Sequence, residues 1–194
     1  MPRKKTKPKR KRRKKQNQSF LQANLDNLVL LNGRQIFLYE PITHSTSSRV
    51  CKQLITLDSV SSQQPIILNI NSGGGSVTDG FAIIDIMRTI KSPVVTFISG
   101  MAASMAGIIA CTGYKRIMTA NSFWMGHEMT CGDYDYLSKI KDRSKFYDQI
   151  WQRLVEYLKK YTKLSIKDLN SLQHGELWLG ADKCKDKGIV DLVI

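Results

Sequence analysis

Apolar and polar positions along this chain switch repeatedly between a short, strand-like rhythm and a helical one. Residues 34–39 (RQIFLY), 65–71 (PIILNIN) and 93–99 (PVVTFIS) are β-rich apolar runs bounded by Gly, Pro or polar residues, and each reads as a strand. Between them, residues 47–57 place Val50, Leu54, Ile55 and Leu57 at roughly helical spacing, with Ser45 and Thr46 as caps. Cys51 shares that side, so this apolar face is only partly defined. A second helix follows the run of three glycines at 73–75 and carries Phe81, Ile84, Met87 and Ile90 on one face. Residues 101–111 are small and apolar, as a buried helix would be. Two further strands are expected at 116–119 and 122–125, and a closing strand at 189–193. Residues 134–160 form a long amphipathic pattern, with Leu137, Ile140, Tyr147, Trp151, Leu154 and Leu158 facing one way. Strands alternating with helices over short connections predict an α/β fold.

The first 18 residues break this pattern. Residues 1–15 hold 11 Lys or Arg, no acid, and Pro2 and Pro8. Like charges repel and nothing apolar is present to bury, so a disordered basic tail is expected over 1–18, followed by one folded domain over 19–194. The tail accounts for most of the net charge of +14: of 30 basic residues, 19 remain in the body against 16 acids. A chain of 194 residues suits a single domain with a sizeable core. Cys51, Cys111, Cys131 and Cys184 show no CxxC pairing or regular spacing, which argues against a zinc site or disulfide framework and fits a reducing compartment. No apolar run is long enough to span a membrane, and no apolar segment follows the basic tail as in a secretory signal. The expectation is a soluble intracellular protein with no cofactor of its own.

Candidate chemistry sits at two strand-to-helix turns, where α/β sheets bind ligands. Asn71-Ser-Gly-Gly-Gly-Ser76 exposes backbone N–H groups near a helix start, which suits an oxyanion or a phosphate; a flexible tight turn explains it equally well. It is not a Walker loop, since no Gly-Lys-Ser/Thr follows. Gly100-Met-Ala-Ala-Ser104-Met-Ala-Gly107 surrounds a serine with small residues just after a strand. Such a serine gains from the positive helix end, and small neighbours admit a substrate backbone, although helix packing alone also accounts for it. A nucleophilic serine needs a base, and the histidines are His44, His127 and His174. His44 and His174 lie in polar stretches. His127 lies just after the apolar Phe123-Trp124-Met125, where a side chain can project into a pocket.

Asn71-Ser-Gly-Gly-Gly-Ser, Gly100-Met-Ala-Ala-Ser-Met and Asn121-Ser-Phe-Trp-Met-Gly-His, in this order, resemble the ClpP proteolytic subunits of ATP-dependent Clp proteases. Trp178-Leu-Gly-Ala-Asp-Lys-Cys-Lys-Asp-Lys-Gly-Ile-Val-Asp resembles the C-terminal segment of that family, so the likeness runs from about residue 35 to 194. The resemblance implies a ClpP/crotonase-like fold with a long handle helix, and a serine endopeptidase acting on unfolded polypeptides. It implies a barrel of two stacked seven-membered rings, homo-oligomeric or mixed, fed by an AAA+ Clp ATPase that uses the ATP. Carried over by position, it makes Ser104 the nucleophile and His127 the base. The backbone amides of Gly75 and Met105 become the oxyanion hole, and Glu176 the third triad member, where the family usually has Asp. Other departures are Gly73 for the family's Pro, His127-Glu-Met129 for His-Gln-Pro, and the basic tail in place of the usual N-terminal axial segment. The implied compartment is the cytoplasm, or the stroma of a plastid.

Four competing readings are open. A ring subunit of the inactive ClpR kind would assemble without cleaving; Ser104 and His127 speak against it, and Glu176 leaves room for it. A crotonase-type acyl-CoA enzyme shares the glycine-turn oxyanion hole but leaves Ser104 and His127 unexplained. A membrane-bound signal peptide peptidase is disfavoured by the missing spanning segment. The tail, at residues 2–15, offers a weak contact with nucleic acid or an acidic surface, yet has no aromatic residue for stacking.

Overall fold

The computed structural model describes residues 33–132 and 134–194. The basic tail expected at 1–18, and the first residues of the domain expected from 19, lie outside the described residues. The elements run β1 (Gln35–Leu38), α1 (His44–Val60), β2 (Ile66–Ser72), α2 (Val77–Thr89), β3 (Val94–Ala103), α3 (Met105–Cys111), β4 (Lys115–Met118) and β5 (Phe123–His127). Then follow α4 (Leu137–Tyr161), α5 (Ile166–Ser171), β6 (Glu176–Gly180), α6 (Ala181–Asp186) and β7 (Leu192–Val193). This is the α/β alternation that the hydrophobic periods predict.

Five strands lie parallel in the order β1-β2-β3-β4-β7. The central β2 is buried at five of its seven positions, as a strand covered on both faces must be. Ile66, Leu68 and Ile70 join Val50, Leu54 and Leu57 of α1 and Ile83, Ile84 and Met87 of α2 in one core. β3 is the longest strand, and it forks. Its first half pairs with β4 through Val95–Ile98, while Met101, Ala102 and Ala103 pair with Phe123, Trp124 and Met125 of β5. Between the halves the register slips against β2, and Gly100 adopts φ +97°, a conformation that costs glycine little. A Cβ on Gly100 would stand 2.7 Å from Asn71 Oδ1, and that same oxygen accepts the Met101 N–H at 3.2 Å. β5 then pairs antiparallel with β6.

Several expectations need correction. Strand β3 does not close at Gly100 but carries Met101–Ala103 into the sheet, so the helix expected over 101–111 begins only at Met105. Helix α1 starts at His44, not Ser47, because Thr43 is the cap and accepts the Thr46 N–H; Ser45 and Thr46 lie inside the helix. Ile55 faces solvent. The buried line of α2 is Gly80, Ile83, Ile84 and Met87 rather than the stripe through Phe81 and Ile90; Phe81 instead stacks on Tyr157 of α4. In α4 only Ile150, Leu154 and Leu158 are buried, and Leu137 is 68% exposed, so the first turns of this 25-residue helix stay exposed, and Tyr147 is its first hydrophobic residue packed on the core. The closing strand shrinks to Leu192–Val193, with Ile189 and Val190 buried ahead of it. Elements α5, β6 and α6 were not anticipated. Among the described residues, no helix is long and apolar enough to cross a membrane.

Candidate active site

Ser104 stands between β3 and α3 as the N-cap of the helix, with φ 54° and ψ −127°. A serine at positive φ is strained by an order of 1–3 kcal/mol and persists only where its surroundings fix it. Two backbone hydrogen bonds do so: the Ser104 N–H donates to Met125 O at 2.8 Å, and Ser104 O accepts from the Ile108 N–H at 3.2 Å. The sharp strand–turn–helix is the geometry of a nucleophile elbow, reached here without the GxSxG pattern that would have announced it.

His127 is the last residue of β5, inside the strand rather than just after it. The strand is anchored from its other face by Trp124, which is fully buried and donates from Nε1 to Gly107 O at 3.2 Å. His127 thereby stands where its Nε2 meets Ser104 Oγ at 2.9 Å. A hydroxyl in hydrogen-bond contact with an imidazole nitrogen is the pair needed to move a proton off an attacking serine. The other histidines are elsewhere: His44 is solvated at the start of α1, 3.5 Å from Asp79, and His174 is exposed.

Gly75 and Met105 line the same cleft as Ser104 and His127. Gly75 forms a parallel bridge with Ile42, in which Ile42 N–H donates to Gly74 O and Ser76 N–H donates to Ile42 O. That pattern turns the N–H of Gly75 itself to the side away from Ile42. The Met105 N–H is the first amide of α3, where helical amides have no acceptor within the helix. Gly74 packs so closely that a Cβ there would stand 2.7 Å from both Ala103 O and Ser104 Cβ, and its φ of +93° again calls for glycine. The glycine run is therefore pressed against the serine turn rather than hanging free. The cleft is also lined by apolar groups, including Ile108, Leu154, Leu158 and Leu172.

Glu176 is the residue that the structure brings close without joining to the pair. It opens β6 directly opposite His127 in the antiparallel register, so both side chains leave the same face. Its carboxylate turns along its own strand and accepts the Trp178 indole N–H at 2.7 Å. Among the described residues, no carboxylate lies within 4.0 Å of the His127 ring. Of the other acids in the C-terminal segment, Asp191 is committed to Arg116, whose backbone N–H and Nε reach its Oδ2 at 2.8 and 3.1 Å. That guanidinium holds the Asp191 carboxyl below the usual range. Asp182 lies exposed in the first turn of α6. Trp178 is the participant that sequence reasoning missed; its alternation with Glu176 on one face was visible only once β6 was known to be a strand.

A family model described as Clp protease matches residues 18–194, nearly the whole chain and all of the described residues. The parallel sheet with its flanking helices has the architecture that the sequence motifs imply. With Ser104 and His127 in contact at the mouth of a glycine-lined cleft, and with that match spanning both turns and the C-terminal segment, this chain belongs to the Clp protease family.

Proposed function

We propose that this chain is an active serine endopeptidase in which Ser104 is the nucleophile and His127 its base. The observation that carries the reading is the 2.9 Å contact between Ser104 Oγ and His127 Nε2, made by a serine held at positive φ. In the tautomer with its proton on Nδ1, His127 accepts from the hydroxyl. Ser104 Oγ attacks the peptide carbonyl carbon, and the proton passes to Nε2. Negative charge develops on the carbonyl oxygen, and the amides of Gly75 and Met105, which line the cleft, receive it. Collapse breaks the C–N bond, with the His127 proton going to the leaving amine. Water, deprotonated by the same imidazole, then hydrolyses the acyl-enzyme. Glu176 serves as the carboxylate that orients the imidazole and stabilises its charged form, when its side chain swings from Trp178 to His127.

Family membership favours action inside a barrel of two stacked seven-membered rings, on unfolded polypeptides delivered by an AAA+ ATPase that supplies the ATP hydrolysis. The exposed start of α4, with Leu137 and Phe146 open to solvent, suits the handle through which such rings stack. Unpaired, dispersed thiols favour a reducing compartment such as the cytoplasm or a plastid stroma. A second reading, a ring subunit that assembles without cleaving, draws on one observation: Glu176 is engaged by Trp178 and not by His127. Hydrolysis of a short fluorogenic peptide separates the two. Ser104→Ala is expected to abolish hydrolysis while leaving the assembly unchanged by light scattering. Activity near that of the wild type in Ser104→Ala, or none in the wild type, overturns the active-enzyme reading.

A further inference from the structure

We propose that Trp178 is a positioning residue whose indole N–H holds the Glu176 carboxylate away from His127, so that the third member joins the pair only when this latch opens. The inference rests on the reading of Ser104 and His127 as nucleophile and base. Three observations carry it. Glu176 and His127 are direct partners in the β5–β6 ladder, so the carboxylate needs only side-chain rotation to reach the imidazole. Its Oε2 is nevertheless taken by Trp178 Nε1 at 2.7 Å, two residues along the same strand and on the same face. And Trp178 is half exposed, 49% accessible, beside the equally exposed Phe123 on that face of the β5–β6 pair.

The physics is a competition between two donors for one carboxylate. Glutamate has one methylene more than aspartate, and that extra reach lets the carboxylate bend back along β6 to the indole. An aspartate at position 176 would have a shorter arc. A ring without an N–H at 178 would offer no partner. The latch is therefore a two-position side chain, with populations set by one charge-assisted hydrogen bond on each side.

Trp178→Phe in the full chain keeps an aromatic ring and removes only the donor. It is expected to raise kcat by about tenfold, the scale of one such hydrogen bond, with KM unchanged. The gain should disappear in a Glu176→Gln background, because the side chain then has no negative charge with which to stabilise the imidazolium, whichever partner it holds. Where the wild type hydrolyses peptide, an unchanged or lower kcat in Trp178→Phe, or a gain that survives Glu176→Gln, overturns the latch. A structure of Trp178→Phe is the second readout and needs no turnover: the Glu176 carboxylate should lie within about 3.2 Å of His127 Nδ1. If the carboxylate stays off the ring, the latch is wrong. If it moves to His127 while neither protein hydrolyses peptides, the latch stands and the peptidase reading fails.

Discussion

Ser104 and Glu176 illustrate how differently two members of one site can be written into a chain. The backbone of the serine is fixed by its positive φ, its amide on Met125 and its place as a helix cap, and its Oγ meets His127 Nε2. The glutamate is fixed only by a hydrogen bond between side chains, so its contribution depends on which partner it holds. Losing the orienting carboxylate of a triad can cost about 10⁴ in turnover. Glu176→Gln should therefore depress kcat severely, and Glu176→Asp should retain more, since it restores a carboxylate opposite His127. Asp182→Asn and Asp191→Asn should keep their activity per folded molecule, because Asp191 serves Arg116 and Asp182 stands in the exposed first turn of α6. Side-by-side peptidase rates decide this. Retained activity in Glu176→Gln with a loss in either Asp variant would move the third member elsewhere.

At the scale of elements, β6 is held against β5 while α5 and α6 frame it, and an ion pair ties those two helices together. Lys187, just past α6, places Nζ 2.7 Å from Asp168 Oδ2 of α5, and Asp168 also closes a capping box with Ser165. Lys187 first, and then the Ser165 hydroxyl and amide, hold the Asp168 carboxyl down at about 2. A depressed carboxyl stabilises the fold above its unfolded value near 4 and loses that contribution as the pH falls towards its folded value. The stability difference between wild type and Lys187→Met should thus be constant above about pH 4 and close between about pH 4 and 2, as followed by denaturant unfolding. A difference that persists unchanged down to about pH 2 would refute the pairing. This region also marks where sequence reading failed. The parallel strands β1 to β3 were legible from their apolar runs and α4 from its long amphipathic period, although α4 buries only Ile150, Leu154 and Leu158. The short α5, β6 and α6 bury few residues each, and their signal was local: the Ser165–Asp168 box, and the alternation of Leu177 and Leu179 against Glu176 and Trp178. That Ser104 and His127 come together was legible through the family resemblance of their motifs; the direction of the Glu176 carboxylate was not, because a rotamer chosen by Trp178 leaves no trace in spacing.

For the whole molecule, charge and chemistry are segregated. The described body carries the cleft, while 11 of the basic residues lie in the first 15, outside the described residues. Any nucleic-acid contact made by residues 2–15 would be electrostatic, steeply weakened by salt and indifferent to sequence. Deleting 2–15 should abolish retention on nucleic acid at low salt and spare peptide hydrolysis; retention that survives the deletion would assign binding to the body. Two of the thiols are chemically quiet, since burial pushes Cys111 and Cys184 up to about 12. The central claim is that Ser104 and His127 form a working nucleophile and base, and labelling of the full chain with a fluorophosphonate followed by peptide mapping tests it most directly. The account predicts a single adduct on Ser104 that disappears in His127→Ala; no adduct, or an adduct on another residue, would contradict it.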